Sequence, residues 1–301
     1  MFDVARFGIG PDDARQSRLV AGSAIARFDS KTKAALGFSE GAKAIERKLT
    51  GAQAGAFLVA RDISGDPGFN ARRGMSMAMR RDLGFAGITV AMERGRVWQE
   101  VRTSATDAPY RWSSVSLDRR FGGSNWLSLG LGRLDEKQTL LGGRMGALFG
   151  SGGSSSLFLD LEARHDFGSG LTATLAGRRG WTDFSSGKFA TAAYSLDLTK
   201  SGVFGTDDRA GFRLSQPLRI ERGGIGMMLP TGYDYATESE TNSFSRLSFA
   251  PSGREIDAEL SYSAIIGKGW IGGNLFIRRE PGHVASADSD MGAAIRYSLG
   301  F

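Results

Sequence analysis

The chain has no cysteine among its 301 residues, which removes disulfides, thiol nucleophiles and thiolate metal sites together. The absence suits passage through an oxidising periplasm. Imidazole is nearly missing too: His165 and His283 are the two histidines, and neither has a second one close in sequence. No metal site and no cofactor is therefore expected. Nowhere do ~18 apolar residues follow one another, so no helix is expected to span a membrane. That exclusion does not extend to a barrel, whose strands alternate and average to a modest hydropathy. Proline is scarce at 7 residues while glycine reaches 43, the balance of a Gly-rich β protein. Runs of about five like charges are absent. The 38 basic and 32 acidic residues are spread along the chain, for a net charge of +6, so no nucleic-acid partner is expected despite the basic balance.

What the sequence does contain is alternation, clearest at its end. In 290–301 (DMGAAIRYSLGF), Met291, Ala293, Ile295, Tyr297, Leu299 and Phe301 fall on one side of an extended strand. Gly292, Ala294, Arg296, Ser298 and Gly300 fall on the other. About ten residues with one apolar face and a terminal aromatic meet the needs of a spanning barrel strand. Residues 254–266 repeat the pattern, with Ile256, Ala258, Leu260, Tyr262 and Ala264 against Asp257, Glu259, Ser261 and Ser263. In 155–166, Leu157, Leu159, Leu161 and Ala163 oppose Phe158, Asp160, Glu162 and Arg164.

Counting such segments from Phe85 gives about twelve: 85–93, 111–121, 124–134, 155–166, 170–181, 188–199, 208–216, 223–229, 242–250, 254–266, 270–279 and the closing strand. The expectation is an all-β, closed antiparallel transmembrane barrel of about 12 strands, or 14 if the region before Phe85 contributes. Connections tend to alternate short and long, as periplasmic turns and external loops do. Three resist the alternation: 200–207 and 230–241 are long on the short side, and 251–253 is short on the long side. The charged residues fall opposite the apolar set, as they must when a basic side chain at mid-membrane costs ~2–4 kcal/mol. Arg296, Asp257, Glu259, Asp160, Glu162 and Arg164 are accordingly expected to line the lumen. Phe301, Leu299, Tyr297 and Ile295 are expected to mark the strand for assembly and to face lipid.

Residues 1–84 read as a lead-in before a barrel at 85–301. Within it, 17–28 and 31–40 suggest a loosely alternating hairpin. Residues 41–50 change period: Ala42, Ile45 and Leu49 lie three and four apart with Lys43, Arg47 and Lys48 elsewhere, which predicts a short amphipathic helix, packed against the next stretch of chain or placed in the pore. The first residues lack the basic start and apolar core of a secretory signal. If the chain is a barrel, its signal is expected to lie upstream in a longer precursor.

Three further stretches, Pro217-Leu218-Arg219, Pro251-Ser252-Gly253-Arg254-Glu255 and Phe276-Ile277-Arg278-Arg279-Glu280-Pro281-Gly282-His283, resemble the C-terminal translocator of autotransporters, specifically those attached to subtilisin-like serine proteases of Gram-negative bacteria. The resemblance implies an outer-membrane barrel with a helix in its pore, lipid and the barrel assembly machinery as partners, and a covalently linked upstream passenger. No small-molecule substrate is implied.

Catalytic patterns are weak. Gly74-Met75-Ser76-Met77-Ala78 looks like a subtilisin nucleophile segment, but both histidines come after it in the chain, whereas a subtilisin runs Asp, His, Ser. A nucleophile without a base is not a site. His165, beside Asp166, and His283, after Pro281-Gly282, are each expected to be solvated. The carboxylate pairs Asp160/Glu162 and Asp257/Glu259 could serve a glycosidase cleft, but the arginines on the same face point to a mixed-charge pore wall. Besides the translocator, two readings stand: a self-contained porin-like channel, and a soluble β-rich binding domain.

Overall fold

A computed structural model describes residues 2–8, 18–51, 57–60, 63, 69, 71–97, 108–143, 152–185, 187–267 and 269–299. Its strands are β1 (Phe2–Gly8), β2 (Arg18–Arg27), β3 (Thr32–Phe38), β4 (Ala71–Asp82), β5 (Gly87–Val97), β6 (Ala108–Phe121), β7 (Asn125–Glu136) and β8 (Ser154–Gly168). They continue with β9 (Leu171–Phe184), β10 (Gly187–Ser201), β11 (Arg209–Asp234), β12 (Ser239–Ser248), β13 (Ile256–Ile266), β14 (Gly269–Arg279) and β15 (Asp290–Leu299). Among the described residues the one α-helix, α1 (Ala42–Thr50), lies between β3 and β4. Fourteen strands pair antiparallel in chain order from β1 to β15, and β12 pairs with β11 off that path.

The alternation in sequence becomes two unlike faces. Outward, Met77, Met92, Leu117, Leu129, Leu159, Leu175, Leu198, Leu260 and Ile277 are exposed, forming an apolar band that crosses the wall. Inward, Ser116, Asp118, Ser128, Ser156, Glu162, Arg178, Thr191, Arg213, Asp257 and Glu259 are buried. Apolar outside and polar inside is the inverse of a soluble protein and fits a wall surrounded by lipid.

The interior contents show how far the sheet curls. Helix α1 bonds to β2 through Lys48 Nζ and Ser23 Oγ (2.7 Å), and to β6 through Ser116 Oγ and Glu46 (2.5 Å). It faces β8 through Lys43 and Glu162 (3.7 Å). The segment soon after it reaches the far wall: the Ala60 carbonyl accepts Arg213 of β11 (3.0 Å), and Glu259 of β13 accepts Leu58, Val59 and Ala60 N–H at 2.6–2.8 Å. A sheet whose early and late strands hold one short segment is wrapped around it. With its fourteen-strand up-and-down order and apolar exterior, the fold is an outer-membrane-type β-barrel.

Fourteen wall strands meet the upper expectation, though composed differently from the count begun at Phe85. Residues 208–216 and 223–229 belong to the single strand β11 of 26 residues. Its first part pairs with β13, Arg209 opposite Ser263 through Ser215 opposite Asp257, while Gly224–Asp234 pairs with β12. At ~3.3 Å per residue β11 far exceeds a membrane span, so β11 and β12 continue past the wall as a two-stranded ribbon. The 230–241 connection is the tip of that ribbon, which resolves two of the irregular lengths. Pro230 does not end the strand: β10 stops pairing with β11 at Ile225, leaving one open side where a missing N–H costs nothing. Strands β1 to β4, before Phe85, pair continuously into the same sheet.

The turns at one end are tight and locally capped. Asp29 Oδ1 accepts Lys31 and Thr32 N–H (2.6 and 2.7 Å), Asp82 Oδ1 accepts Gly84 N–H (2.8 Å), and Asp166 Oδ1 accepts Gly168 N–H (2.8 Å). These are Asx turns. Gly168, Ser169 and Gly170 all have positive φ (82, 51 and 78°), a reversal that flanking glycines make possible. The other end carries the long connections, and we call the two ends the turn rim and the loop rim.

Candidate functional site: the occupied lumen and the loop-rim knot

Helix α1 is held in the lumen by both of its faces. Ala42, Ile45 and Leu49, the residues of the expected apolar stripe, are buried against Ala35, Ala78, Ala91 and Trp112 of the wall. Close approach depends on a bare backbone: a Cβ on Gly37 would stand 2.2 Å from Ile45 Cδ1. The N-terminus has no side-chain cap of its own at Gly41. A wall carboxylate supplies one, since Glu93 Oε2 accepts Ala42 N–H at 2.7 Å while Tyr110 donates to Oε1 at 2.5 Å. An anion at this end also complements the helix dipole. Gly51 closes the helix in the left-handed conformation, φ 71°.

Around the helix, the wall carries paired charges. Arg178 Nε and Nη2 bind both oxygens of Asp160 (2.6 and 2.9 Å), and its guanidinium lies over Phe158 and Trp112 at 4.8 and 5.2 Å. Arg213 binds Asp197 through two nitrogens and lies over Phe57 at 4.3 Å. Arg80 pairs with Asp118. Two-point pairing of this kind orients both partners. Toward the turn rim a cavity of about 290 Å³ remains, lined by Arg47, Arg120, Arg164, Asp197, Arg213 and Trp126 among others.

Of the residues read from sequence as lumen-lining, Glu162, Asp257 and Glu259 are buried. Asp160 and Glu162 face the lumen, and Arg164 bonds Glu162 at 3.2 Å and lies 4.9 Å over Trp126. Glu259 is 1% exposed and also accepts Asn274 at 2.7 Å. Asp257 is buried, with Arg278 at 3.5 Å. Arg296 stands apart: it is exposed on β15, opposite Gly272, and joins none of these clusters. Ile295 and Tyr297 are exposed on the outward face at 81% and 54%. The Leu299 side chain and Phe301 lie outside the described residues. The alternation that placed Asp160 inward also places Arg178, Asp197, Arg213 and Glu93 there.

At the loop rim, the three stretches that carry the sequence resemblance meet. Arg219 donates to the carbonyls of Gly253 and Pro251 (both 2.9 Å) and to Glu221 (2.9 Å). Arg254 N–H donates to Glu280 (2.6 Å), and its guanidinium to Glu221 and Gln216. Glu255 accepts Arg278 Nη2 (2.6 Å) and Gly282 N–H (2.5 Å). His283 is 9% exposed: Nδ1 accepts Glu255 N–H at 2.9 Å, which puts the ring proton on Nε2, facing the Leu218 carbonyl at 3.2 Å. The expected solvated histidine is therefore a buried lock. Burial holds its pKa below the ordinary value, against the opposing pull of the Leu218 carbonyl. For Glu255, burial alone would raise the pKa; Arg278 and the Gly282 amide outweigh it and the net shift is downward.

The suspected catalytic groups do not assemble. Ser76 Oγ is buried on β4 and donates to the Glu40 carbonyl at 2.7 Å. His165, half-buried at the turn rim, bonds Asn125 at 2.7 Å and packs edge-on against Phe167. No cluster of three metal-binding side chains occurs among the described residues.

No family model and no curated sequence matches the chain. Among solved structures, Pseudomonas putida OprB, an outer-membrane β-barrel in its high-pH form, aligns over 96% of this chain and 74% of that one, with a TM-score of 0.54 at 13% identity. LpxR from Salmonella typhimurium aligns over 76% of this chain and 89% of its own at 6% identity, and its TM-score of 0.29 is too low to bear on the fold.

Proposed function

We propose that the chain is an outer-membrane channel of the porin-like kind, its bore narrowed by the inward-folded connection between β3 and β4. One observation carries this reading. Strands β3 and β4 pair with each other, Thr32 opposite Arg81 through Phe38 opposite Met75, so both ends of the connection that contains α1 are anchored in the wall. A segment tied at both ends constricts a lumen instead of threading through it. The mixed-charge cavity toward the turn rim is the adjoining part of the path, and a wall of paired Arg and Asp suits small polar solutes passing in water. The loop rim, with the longer connections, faces outside on this reading. The test is conductance of the refolded chain in planar bilayers. Discrete single-channel steps are expected; a folded, inserted protein that passes no current overturns the proposal.

A second reading, the autotransporter translocator with a subtilisin-like passenger, is supported by the convergence of 217–219, 251–255 and 276–283 into one bonded knot, since those are the stretches that resemble it. In that role the chain would insert through the assembly machinery, with Phe301, Leu299, Tyr297 and Ile295 as its signal, and would deliver a polypeptide fused before β1. Because β1, β2 and β3 precede α1, the helix would not be the link to such a passenger. Surface exposure of a reporter fused upstream separates the readings: display supports the translocator, and retention of the reporter inside supports the channel.

A further inference from the structure

The outward face of β5, β6 and β7 changes character at one height. On β5 the exposed residues run Val90, Met92, then Arg94 and Arg96; on β6, Leu117 and Val115 give way to Arg111; on β7, Leu129 and Leu131 give way to Arg133. All three transitions occur toward the loop rim, where the apolar band ends. Across the sheet, Arg94 stands directly opposite Arg111. Like charges in that position repel, and no carboxylate separates them: the acid in the row, Asp135 opposite Arg111, is bonded by Arg133 at 3.0 Å. Farther along, Ser155, Asp183 and Lys188 come after Asp135 in register, a balanced set. Along this row the excess of positive charge lies on β5–β7 and not on β8–β10.

The same place is concave. A groove of about 850 Å³ opens between Arg94, Arg96, Arg111 and Lys137; Asp135, held by Arg133, also lines it, and Met75 and Pro109 give it apolar wall. Basic groups around an apolar floor, set at the edge of a lipid-facing band, match an amphiphile whose anionic head lies at the membrane surface and whose acyl chains run down the band.

We propose that this groove binds a phosphorylated glycolipid of the outer leaflet, with a phosphate bridging Arg94 and Arg111 and acyl chains lying along Met75, Met92 and Val115. The bridging anion relieves the Arg–Arg repulsion, and two-point guanidinium contacts suit phosphate oxygens. The inference uses the barrel fold and the outward loop rim, not the channel reading, so conductance plays no part in its test.

The experiment is native mass spectrometry of the refolded full-length chain in detergent, offered lipid A, phosphatidylglycerol or inorganic phosphate. Lipid A is expected to be retained by the parent and by K188Q, a charge change in the balanced part of the row. Two removed charges, R94Q with R111Q, are expected to weaken retention roughly tenfold or more at ~1 kcal/mol per basic group. Heat-modifiable migration reports folding, and the single variants R94Q and R111Q carry the test if the pair does not fold. Unchanged retention in the variants overturns the proposal, as does displacement of lipid A by inorganic phosphate or equal retention of phosphatidylglycerol.

Discussion

The ring of His283 takes the backbone N–H of Glu255 on Nδ1 at 2.9 Å, a bond that only an unprotonated Nδ1 can make. Two loops otherwise separated by β13 and β14 are thereby fixed to each other. The folded state holds His283 neutral with a pKa below its ordinary 6.5. Above that value both folded and unfolded chains carry neutral imidazole and the lock contributes fully. As the pH falls below about 6.5, the unfolded chain takes up the proton first and stability declines. Glu255 works in a separate window, because its pKa is depressed from 4.5: its contribution is present above that value and lost as the pH drops through the folded pKa. Thermal unfolding in detergent across about pH 4–8 should show the first decline in the parent and not in H283A. H283A should also be less stable at neutral pH by about 1–3 kcal/mol, having left the Glu255 amide unpaired. An identical pH profile for the two proteins would refute the lock.

Glu259 tethers the lumen segment to the far wall through three backbone amides. E259A removes the carboxylate that accepts all three while leaving the outward face untouched. Single-channel conductance is expected to rise and to become noisier as the segment detaches, with heat-modifiability preserved. A conductance equal to that of the parent would show that the segment does not limit the bore.

On the opposite wall the helix is seated by shape. A side chain at Gly37 would occupy the place of Ile45 Cδ1, so G37V should unseat α1, whereas I45A leaves a cavity with the helix in place. The expected cost of I45A is ~2–5 kcal/mol. G37V should resemble E259A in conductance and I45A should not; equal conductance changes in both would argue against a helix seated by the Gly37–Ile45 contact.

The packing at Gly37 also explains where sequence reading was sharp and where it was weak. From Phe85 onward large outward residues alternate with charged or hydroxyl ones, as at Leu159 and Asp160, and each residue declares its face. In β3 and β4 the lumen positions beneath the helix are Ala35, Gly37, Ser76 and Ala78, small because α1 needs the space, so the contrast between faces fades. The apolar stripe of α1 was legible from its own period, while its place inside the wall was not, since Glu93 and Gly37 are distant in sequence. Strand β11 was read as two segments, 208–216 and 223–229, because nothing local reveals that it outruns the membrane and trades β13 for β12. His283 looked exposed for a similar reason: its partners, the Leu218 carbonyl and the Glu255 amide, are backbone groups that every sequence has.

Arg178 offers the most severe test of the wall. Its side chain is 1% exposed and binds both oxygens of Asp160, and its guanidinium lies over Phe158 and Trp112. Replacing it with methionine keeps much of the contact with the rings but strands the Asp160 carboxylate on the lumen wall. Breaking a buried pair from one side costs about 3–5 kcal/mol, enough to lower the temperature at which the folded form migrates differently on a gel. Replacing both partners, R178M with D160N, removes the stranded charge and should recover much of the loss. If the double variant is as unstable as R178M alone, the arginine acts through its stacking on Trp112 and Phe158 and the ion pair is secondary.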